Sequence, residues 1–502
     1  MHLGWFSPLP PVRTGIAGRS AETVVALGAR GHRVDAFDER AAHDFPWKHR
    51  REPYDLVVYQ FGNSSHHDYE WPYAFNYPGL VVLHDTHLHH ARAALLLREK
   101  RAADYRAEFA WNHPGIPADA AELAVAGFDS RLYYDWPMTA ALVASSRLTA
   151  VHGEGARDEI IHALTPRLGA GVRDRIVSIR LGEGVASPSD ASARARATVR
   201  AAHGIADDAI VFGCYGGLSP EKRVPQILAA FRATLRSAPA ARLLLAGAPA
   251  AHYDVAADIA AHGLQDRVTL TGYIETDADL TDHIAACDVS LNLRWPTTRE
   301  TSGPWLRALA AGKPTIVTDL VHMGNVPSLD PRTWMMASDG RWSMTDDRWA
   351  MADAIGERQS AETSGGFHSG AADSVRDWRS DGSPARAPDT STIDHRPSSF
   401  DHAVCVAIDI LDEDHSLRLA MRRLAGDVAL RAELGRAAQT WWAREHSLEV
   451  MVADYERVMA EAVARPAAID RPSLPAHIRS TGDERLKTLL APFRLESPLD
   501  GR

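Results

Sequence analysis

The chain has 502 residues, 45% of them hydrophobic and 24% charged, which excludes a mostly disordered chain, a coiled coil and a small disulfide-stapled fold. At roughly 100 to 200 residues per domain, this length predicts two or three domains. Lys and Arg total 55 against 65 Asp and Glu, and the formal net charge of -10 argues against a surface built as a whole for nucleic acid or anionic lipid.

The three cysteines, Cys214, Cys287 and Cys405, lie in apolar runs and show no metal-type or redox-type spacing. This pattern is typical of buried, reduced thiols in a cytosolic protein. The N-terminal residues lack the features of a signal peptide, and no run approaches the roughly 20 apolar residues of a membrane span. We therefore expect a cytoplasmic protein.

The first third of the chain alternates short apolar segments with longer helical patterns, which predicts a parallel, doubly wound α/β sheet. Strands are predicted at residues 2–6, 33–37, 56–61, 80–84, 148–152 and 176–181. Helices are predicted at about 20–29, 88–106, 136–146 and 154–164.

The segment 186–205 has no strand character, and the alternation then begins again. Strands are predicted at 210–215, 242–246, 268–273, 289–293 and 315–317, with helices near 221–236, 253–263, 277–286 and 303–311. The sequence thus predicts two tandem doubly wound domains with a ligand cleft between them.

The composition shifts to Ser, Gly, Asp, Arg and Pro near residue 357, and we predict a disordered insertion at 357–401. The domains are then 1–190, and 205–356 together with 402–445. We expect a C-terminal helix at 446–464 that packs back towards the N-terminal domain, and a Pro-rich tail at 465–502.

Several candidate site residues of the first domain lie where predicted strands end. Gly15 lies in a loop that opens a helix, where backbone amides can bind phosphate, although a plain strand-to-helix turn explains it about as well. His84 and Asp85 lie at the carboxyl end of the fourth strand, a position suited to acceptor binding or proton transfer. A metal site is the alternative, although the spacings match no familiar ligand pattern. Asn63 and His67 follow the third strand and are predicted to line the same cleft.

In the second domain, Lys222 and Arg223 are predicted in the first turn of a helix, where cations oppose the helix dipole unless an anion is bound beside them. Two solvated basic side chains are the alternative. A third cluster, LNLRWPTTRETSGPWLRALAAGKP, carries Arg294, Glu300 and Arg307. Thr301 and Ser302 in that loop are predicted to cap a helix or to hold phosphate.

Taken together, these motifs make the chain similar to the GT-B glycosyltransferases, and within them to the retaining enzymes of family 4. The resemblance rests on PPVRTGIAGRS, YQFGNSSHHD, GLVVLHD, GLSPEKR, ARLLLAG, VTLTGY, LNLRWPTTRETSGPWLRALAAGKP and the late WWAREHSLEVMVADYERV. It spans most of residues 1–460 apart from the insertion.

The resemblance implies roles for individual residues. Gly15 and Ile16 become contacts of the donor diphosphate, and Lys222 becomes the cation beside the departing phosphate. Glu300 matches the first glutamate of the family's Glu-x7-Glu signature and would touch the donor sugar, and His84 matches a histidine beside the reacting sugar. The resemblance also implies a nucleotide-sugar donor, a glycan or lipid-linked acceptor, no cofactor and no metal.

Two positions depart from the family pattern. Gly217 stands where an arginine is usual, and Arg307 stands where the second glutamate is expected. We therefore predict that Arg223, Arg294 or Arg307 supplies the missing positive charge. A catalytically silent binding or scaffold subunit, and a nucleotide-sugar epimerase or hydrolase, remain alternative functions. The basic, partly amphipathic segment 88–106 predicts either weak peripheral membrane contact or an ordinary packed helix.

Overall fold

The computed structural model of the protein describes residues 1–128, 131–320, 323, 326–336, 402–466, 473–479 and 490–493. Within them the chain forms two parallel β-sheets, each with helices on its faces. The fold class predicted from the sequence, two tandem doubly wound domains, is confirmed. The predicted insertion at 357–401 and most of the predicted tail lie outside the described residues.

The N-terminal sheet has six parallel strands in the order β2-β1-β3-β4-β5-β6. The strands are β1 (His2–Phe6), β2 (Arg33–Phe37), β3 (Leu56–Phe61), β4 (Leu80–Leu83), β5 (Leu148–Val151) and β6 (Ile176–Ser178). The helices are α1 (Gly15–Ala29), α2 (Phe45–Arg51), α3 (Glu70–Asn76), α4 (His89–Arg98), α5 (Ala102–Asn112), α6 (Ala120–Val125), α7 (Leu132–Asp135), α8 (Ala140–Ser145) and α9 (Glu154–Leu168).

Buried apolar strands build this sheet, because both of its faces are covered. Every residue of β3 and β4 is buried, as expected for central strands of a parallel sheet. Two helix predictions need correction. The predicted helix 88–106 is two helices, because Lys100 adopts a left-handed conformation with φ of 58° between them. The predicted helix 136–146 begins at Ala140, because Met138 also has a positive φ.

The C-terminal sheet has seven parallel strands in the order β12-β13-β11-β10-β7-β8-β9. They are β7 (Val211–Tyr215), β8 (Arg242–Ala246), β9 (Val268–Leu270), β10 (Val289–Asn292), β11 (Thr315–Thr318), β12 (Ser328–Leu329) and β13 (Cys405–Ile408). The helices are α10 (Ser189–Ala202), α11 (Val224–Thr234), α12 (Val255–Ala261), α13 (Asp277–Ala286), α14 (Gly303–Ala310), α15 (Glu413–Gly426), α16 (Val428–Glu445), α17 (Leu448–Ala464) and α18 (Ala476–Arg479), the last docked on the N-terminal domain.

Helix α17 returns from the C-terminal domain to cover the N-terminal sheet. The Tyr455 ring lies 5.4 Å from the Trp5 ring, and the Tyr455 hydroxyl lies 3.1 Å from the side-chain amide of Gln60. Asp454 accepts hydrogen bonds from the backbone and side chain of Arg180. The two domains are therefore joined by a linker and by this helix.

Each sheet has a point where the strand order reverses. In the N-terminal sheet β1 lies between β2 and β3, and in the C-terminal sheet β7 lies between β10 and β8. In doubly wound sheets, ligands bind beyond the carboxyl ends of the strands at such a point. The loops after β1, β3, β7 and β10 are therefore where a site is expected.

Candidate functional site

A pocket opens in the C-terminal domain at the carboxyl ends of β7, β10 and β11. Much of its polar lining comes from the two loops at the reversal of strand order. These loop residues are Lys222 after β7, and Arg294, Thr297, Glu300 and Ser302 after β10. The pocket thus holds three of the charged residues that the sequence singles out.

Lys222 is the buried cation of this pocket. Its Nζ donates to the Tyr215 carbonyl oxygen at 2.5 Å. Burial, and then the positive charge of Arg294, lower the pKa of Lys222 to about 8. Gly216 makes room for the ammonium group, because a Cβ there would lie 2.7 Å from Nζ, and its φ of 82° also favours glycine.

Glu300 is held in the pocket by its own loop. Arg294 Nε lies 2.7 Å from Glu300 Oε1. Glu300 Oε2 accepts from the Thr297 hydroxyl at 2.8 Å and from the Thr298 backbone amide at 3.1 Å. The carboxylate is thereby fixed at the pocket wall, with Arg294 as its counter-charge.

Asp85 of the N-terminal domain faces this loop across the cleft. Its Oδ2 accepts from the Asn63 backbone amide at 2.8 Å, and its Oδ1 lies 2.7 Å from the Thr298 hydroxyl oxygen. Burial, followed by the negative charge of Glu300, raises the pKa of the Asp85 carboxyl to about 6. Asp85 and Glu300, predicted from separate motifs, therefore meet at the hydroxyl of Thr298.

His84 precedes Asp85, and protein groups engage both of its ring nitrogens. His152 Nδ1 donates to the Ile179 carbonyl at 3.1 Å, so its Nε2 accepts from His84 Nδ1 at 3.1 Å. Burial and His152 hold the pKa of His84 well below its usual value, so the ring is neutral. Because Nδ1 carries the proton of the neutral ring, His84 Nε2 is an acceptor and needs a donor. The side-chain amide of Gln60, 2.8 Å away, supplies it when its NH₂ group is oriented towards His84 Nε2. His84 is thus fixed in a buried chain.

The N-terminus of α1 lies beside the same edge. A Cβ on Gly62 would come within 2.4 Å of Ile16 Cδ1 and 3.4 Å of Asp85 Oδ2. Thr14 caps the helix by accepting from the Ala17 amide at 3.1 Å. Gly15 and Ile16 are therefore the first helical residues at the cleft, where a helix N-terminus favours an anion.

The two residues predicted on the acceptor side are placed differently from one another. Asn63 Oδ1 accepts from the Ala91 amide at 2.9 Å, next to its backbone contact with Asp85. His67 is 1% exposed, with Nδ1 2.9 Å from Glu70 Oε1. Burial lowers the pKa of His67 to about 3. His67 therefore lies beneath Gly62 rather than on the open cleft.

Four residues that were predicted to bind the donor contact other protein groups in the structure. They are Arg223 and Arg307, and, in the third cluster, Thr301 and Ser302. Arg223 is not in the first turn of a helix, because it adopts a left-handed conformation immediately before α11. Its guanidinium group forms a bidentate ion pair with Glu413. Arg307 Nε lies 2.5 Å from Glu183 Oε1, and its NH2 group donates to Asp277. The predicted position of Arg223 in the first helical turn is therefore wrong, and the engagement of both guanidinium groups by carboxylates argues against their predicted contacts with the donor.

The hydroxyls of the third cluster also serve the fold. Ser302 caps α14 by accepting from the Trp305 amide at 3.3 Å, as its position predicts. The Thr301 hydroxyl donates to the His152 carbonyl at 3.2 Å, across the cleft.

Sequence analysis missed three residues of this network: Gln60, His152 and Thr298. His152 follows β5 as His84 follows β4, so the rule that identified His84 also identifies His152. Thr298 lies in the third cluster, but no feature of the neighbouring sequence distinguishes it from Thr297.

Among the residues that the structure describes, no group of three or more His, Cys, Asp or Glu side chains could hold a metal ion. In the same part of the chain, no helix is long and apolar enough to cross a membrane.

Comparisons with known proteins agree with this architecture. Residues 209–357 match the family model described as Glycosyl transferases group 1. No curated protein matches the chain by sequence.

Solved GT-B glycosyltransferases share the fold over nearly their whole length. Sucrose-phosphate synthase from Thermosynechococcus elongatus is 13% identical, with a TM-score of 0.55 over 92% of this chain and 99% of its own. The catalytic domain of starch synthase IV from Arabidopsis thaliana, bound to ADP and acarbose, is 11% identical, with a TM-score of 0.55 and the same coverage. Anabaena HepE, in complex with UDP and glucose, is 13% identical, with a TM-score of 0.51 and again the same coverage. The expected resemblance to GT-B glycosyltransferases is confirmed.

Proposed function

From the GT-B fold and the glycosyltransferase match of the C-terminal domain, we propose that this chain transfers a sugar from a nucleoside-diphosphate sugar to an acceptor hydroxyl, with retention of configuration. The pocket that holds Lys222, Arg294 and Glu300 opposite Asp85 is the observation that carries the proposal. It lies at the reversal of strand order and pairs a buried cation with a carboxylate that can accept sugar hydroxyls.

In this proposal the donor diphosphate binds between Lys222 and the N-terminus of α1. The ammonium group stabilises the charge that develops on the leaving diphosphate, and the first amides of α1, at Gly15 and Ile16, add their partial positive charge. Glu300 accepts from hydroxyls of the donor sugar, and Arg294 faces it as a counter-charge. These charges supply what a divalent ion supplies in other transferases, so we propose metal-independent transfer.

The proposed acceptor is a glycan or lipid-linked hydroxyl that enters from the N-terminal side, where Asp85 and Asn63 lie. We place the protein in the cytoplasm, a location supported by its three buried, unpaired cysteines. The ligands bound in the fold relatives, UDP in HepE and ADP in the catalytic domain of starch synthase IV, are the first two nucleotides to test.

We place the proposed peripheral membrane contact on α2 rather than on residues 88–106. Arg92 of α4 is buried and pairs with Glu108, so it is withdrawn from the surface. On α2, Trp47 is 72% exposed, and Arg50 and Arg51 share its helix face at the i+3 and i+4 positions. Flotation with anionic and zwitterionic vesicles tests this; absence of a bound fraction at low salt would leave a water-soluble glycan as the acceptor.

The first experiment is a thermal-shift and calorimetric screen against UDP, GDP, ADP, TDP and their sugar conjugates, with and without Mg²⁺. A ligand that binds the folded state raises its melting temperature. Lys222→Met and Glu300→Gln are compared with Lys48→Met, which removes an exposed lysine of the N-terminal domain. We expect one nucleotide to bind without metal and Lys222→Met to weaken it.

The other functions are outcomes of the same screen. A chain that binds no nucleotide is a silent subunit, and a chain that consumes donor without acceptor is a hydrolase or epimerase. For an active chain, NMR of the first-formed product gives the anomeric configuration, and an inverted product contradicts the proposed retention.

A further inference from the structure

The loop between β10 and α14 crosses the cleft and touches three elements of the N-terminal domain. The His87 amide donates to the Thr298 carbonyl at 3.2 Å, and Arg299 Nε lies 2.5 Å from Glu159 Oε1 on α9. Thr301 donates to the carbonyl of His152, after β5. Because Arg294 and Glu300 of the same loop line the pocket, this loop connects the pocket to the opposite domain.

Thr298 joins the two predicted acids at the centre of this loop. Its Oγ1 lies 2.7 Å from Asp85 Oδ1 and 3.1 Å from Glu300 Oε2. A hydroxyl has one proton to donate and two lone pairs to accept with. If Thr298 donates to one acid, the second contact is favourable when the other acid holds a proton and donates to Oγ1.

The surroundings of the two acids favour the proton on Asp85 rather than on Glu300. Arg294 and the Thr298 amide both contact the Glu300 carboxylate. Asp85 is buried, receives one backbone amide, and faces the negative charge of Glu300, with Arg294 as the nearby cation. The chain that satisfies both contacts runs from an Asp85 O–H to Thr298 Oγ1 and from the Thr298 O–H to Glu300, and with a pKa of about 6 Asp85 carries that proton mainly below pH 6.

We propose that Thr298 is a positioning residue, which fixes the Glu300 carboxylate for the donor sugar by tying it through its hydroxyl to Asp85 of the opposite domain. This rests on the proposed sugar transfer and extends it. Glu300 is then in place when the cleft is closed, and Thr298 itself need not touch the substrate.

Thr298→Val tests this, because it keeps the shape of the side chain and removes both hydroxyl contacts. A shift of a reacting group by about 1 Å can cost about a hundredfold in rate, so we expect kcat to fall roughly 10- to 100-fold. The KM for the donor should change less than threefold or so, because Lys222 still holds the diphosphate. Thr298→Ser should recover most of kcat. Thr440→Val, which removes an exposed hydroxyl on α16, is the matched control.

Amide hydrogen exchange supplies a readout that does not depend on activity. Thr298→Val should speed exchange in 84–91 and in 294–302, where the His87 amide bonds to the loop, while Thr298→Ser and Thr440→Val should not. Wild-type nucleotide binding decides the proposed function separately. A wild-type kcat for Thr298→Val would overturn the inference. If the chain is inactive, wild-type exchange rates of Thr298→Val in both segments would overturn it.

Discussion

The ion pair between Arg223 and Glu413 tests which cations belong to the donor pocket. We expect Arg223→Met to destabilise the C-terminal domain and to leave nucleotide affinity unchanged. The Glu413 side chain is 8% exposed and the Arg223 side chain 19%, so removal of the guanidinium leaves a buried carboxylate without its counter-charge. Such a loss costs about 3 to 5 kcal/mol.

The lower end of that range applies to this pair. Glu413 is the first residue of α15, where the helix dipole stabilises a negative charge even after Arg223 is gone. A cost of about 3 kcal/mol lowers the melting temperature by roughly 6 to 12 °C, at about 2 to 4 °C per kcal/mol for a domain of this size. Scanning calorimetry of the full chain measures this effect.

The double variant Arg223→Met with Glu413→Met is the control. It replaces both charges by apolar side chains, and it should recover most of the lost stability. Nucleotide affinity is measured by titration calorimetry on all three proteins. A single variant with the wild-type melting temperature and tenfold weaker nucleotide binding would refute the reasoning, because Arg223 would then contact the ligand rather than Glu413.

Three further perturbations test the pocket and the domain junction. Lys222 carries its charge below a pKa of about 8, so diphosphate affinity should fall by about tenfold per pH unit above that value, and titration calorimetry of Lys222→Met should show no such slope. Gly216→Ala should weaken nucleotide binding, because the new Cβ would displace Lys222 Nζ. Gly204→Ala is the control: Gly204 also has a positive φ, but its Cβ would meet no neighbour within 4 Å, so this change should lower the stability of the protein without affecting nucleotide binding. Gly182→Ala places a Cβ 2.7 Å from the Ser447 carbonyl oxygen and 2.9 Å from Met451 Cβ, so hydrogen exchange in 448–464 should increase; unchanged exchange would mean that α17 does not depend on this close approach.

The strands and the order of the motifs could be predicted from the sequence, because they depend on local patterns. Runs such as the one at 56–61 are apolar on both faces and read directly as buried parallel strands. The carboxyl ends of those strands then placed Asp85, Lys222 and Glu300 near one cleft. The strand Cys405–Ile408 was missed because it has four residues and follows a long polar segment.

The partners of the charged residues could not be predicted, because they lie far apart in sequence. Arg223 and Glu413 are separated by 190 residues, and Arg299 and Glu159 by 140. A basic residue beside a predicted pocket looks the same in sequence whether its partner is a ligand phosphate or a carboxylate on another helix.

The structure separates these cations by the groups that face them. Arg223 and Arg299 each face a carboxylate with little exposure, from Glu413 and Glu159, so their charges are already compensated within the fold. Arg307 shares Glu183 with Arg19 and also pairs with Asp277. Lys222 instead donates to a neutral carbonyl oxygen in the pocket. Burying a cation without a bonded carboxylate is costly, and a bound diphosphate would offset that cost. This difference in partners, rather than the basic residues themselves, supports the proposal that Lys222 is the anion-binding residue of the pocket.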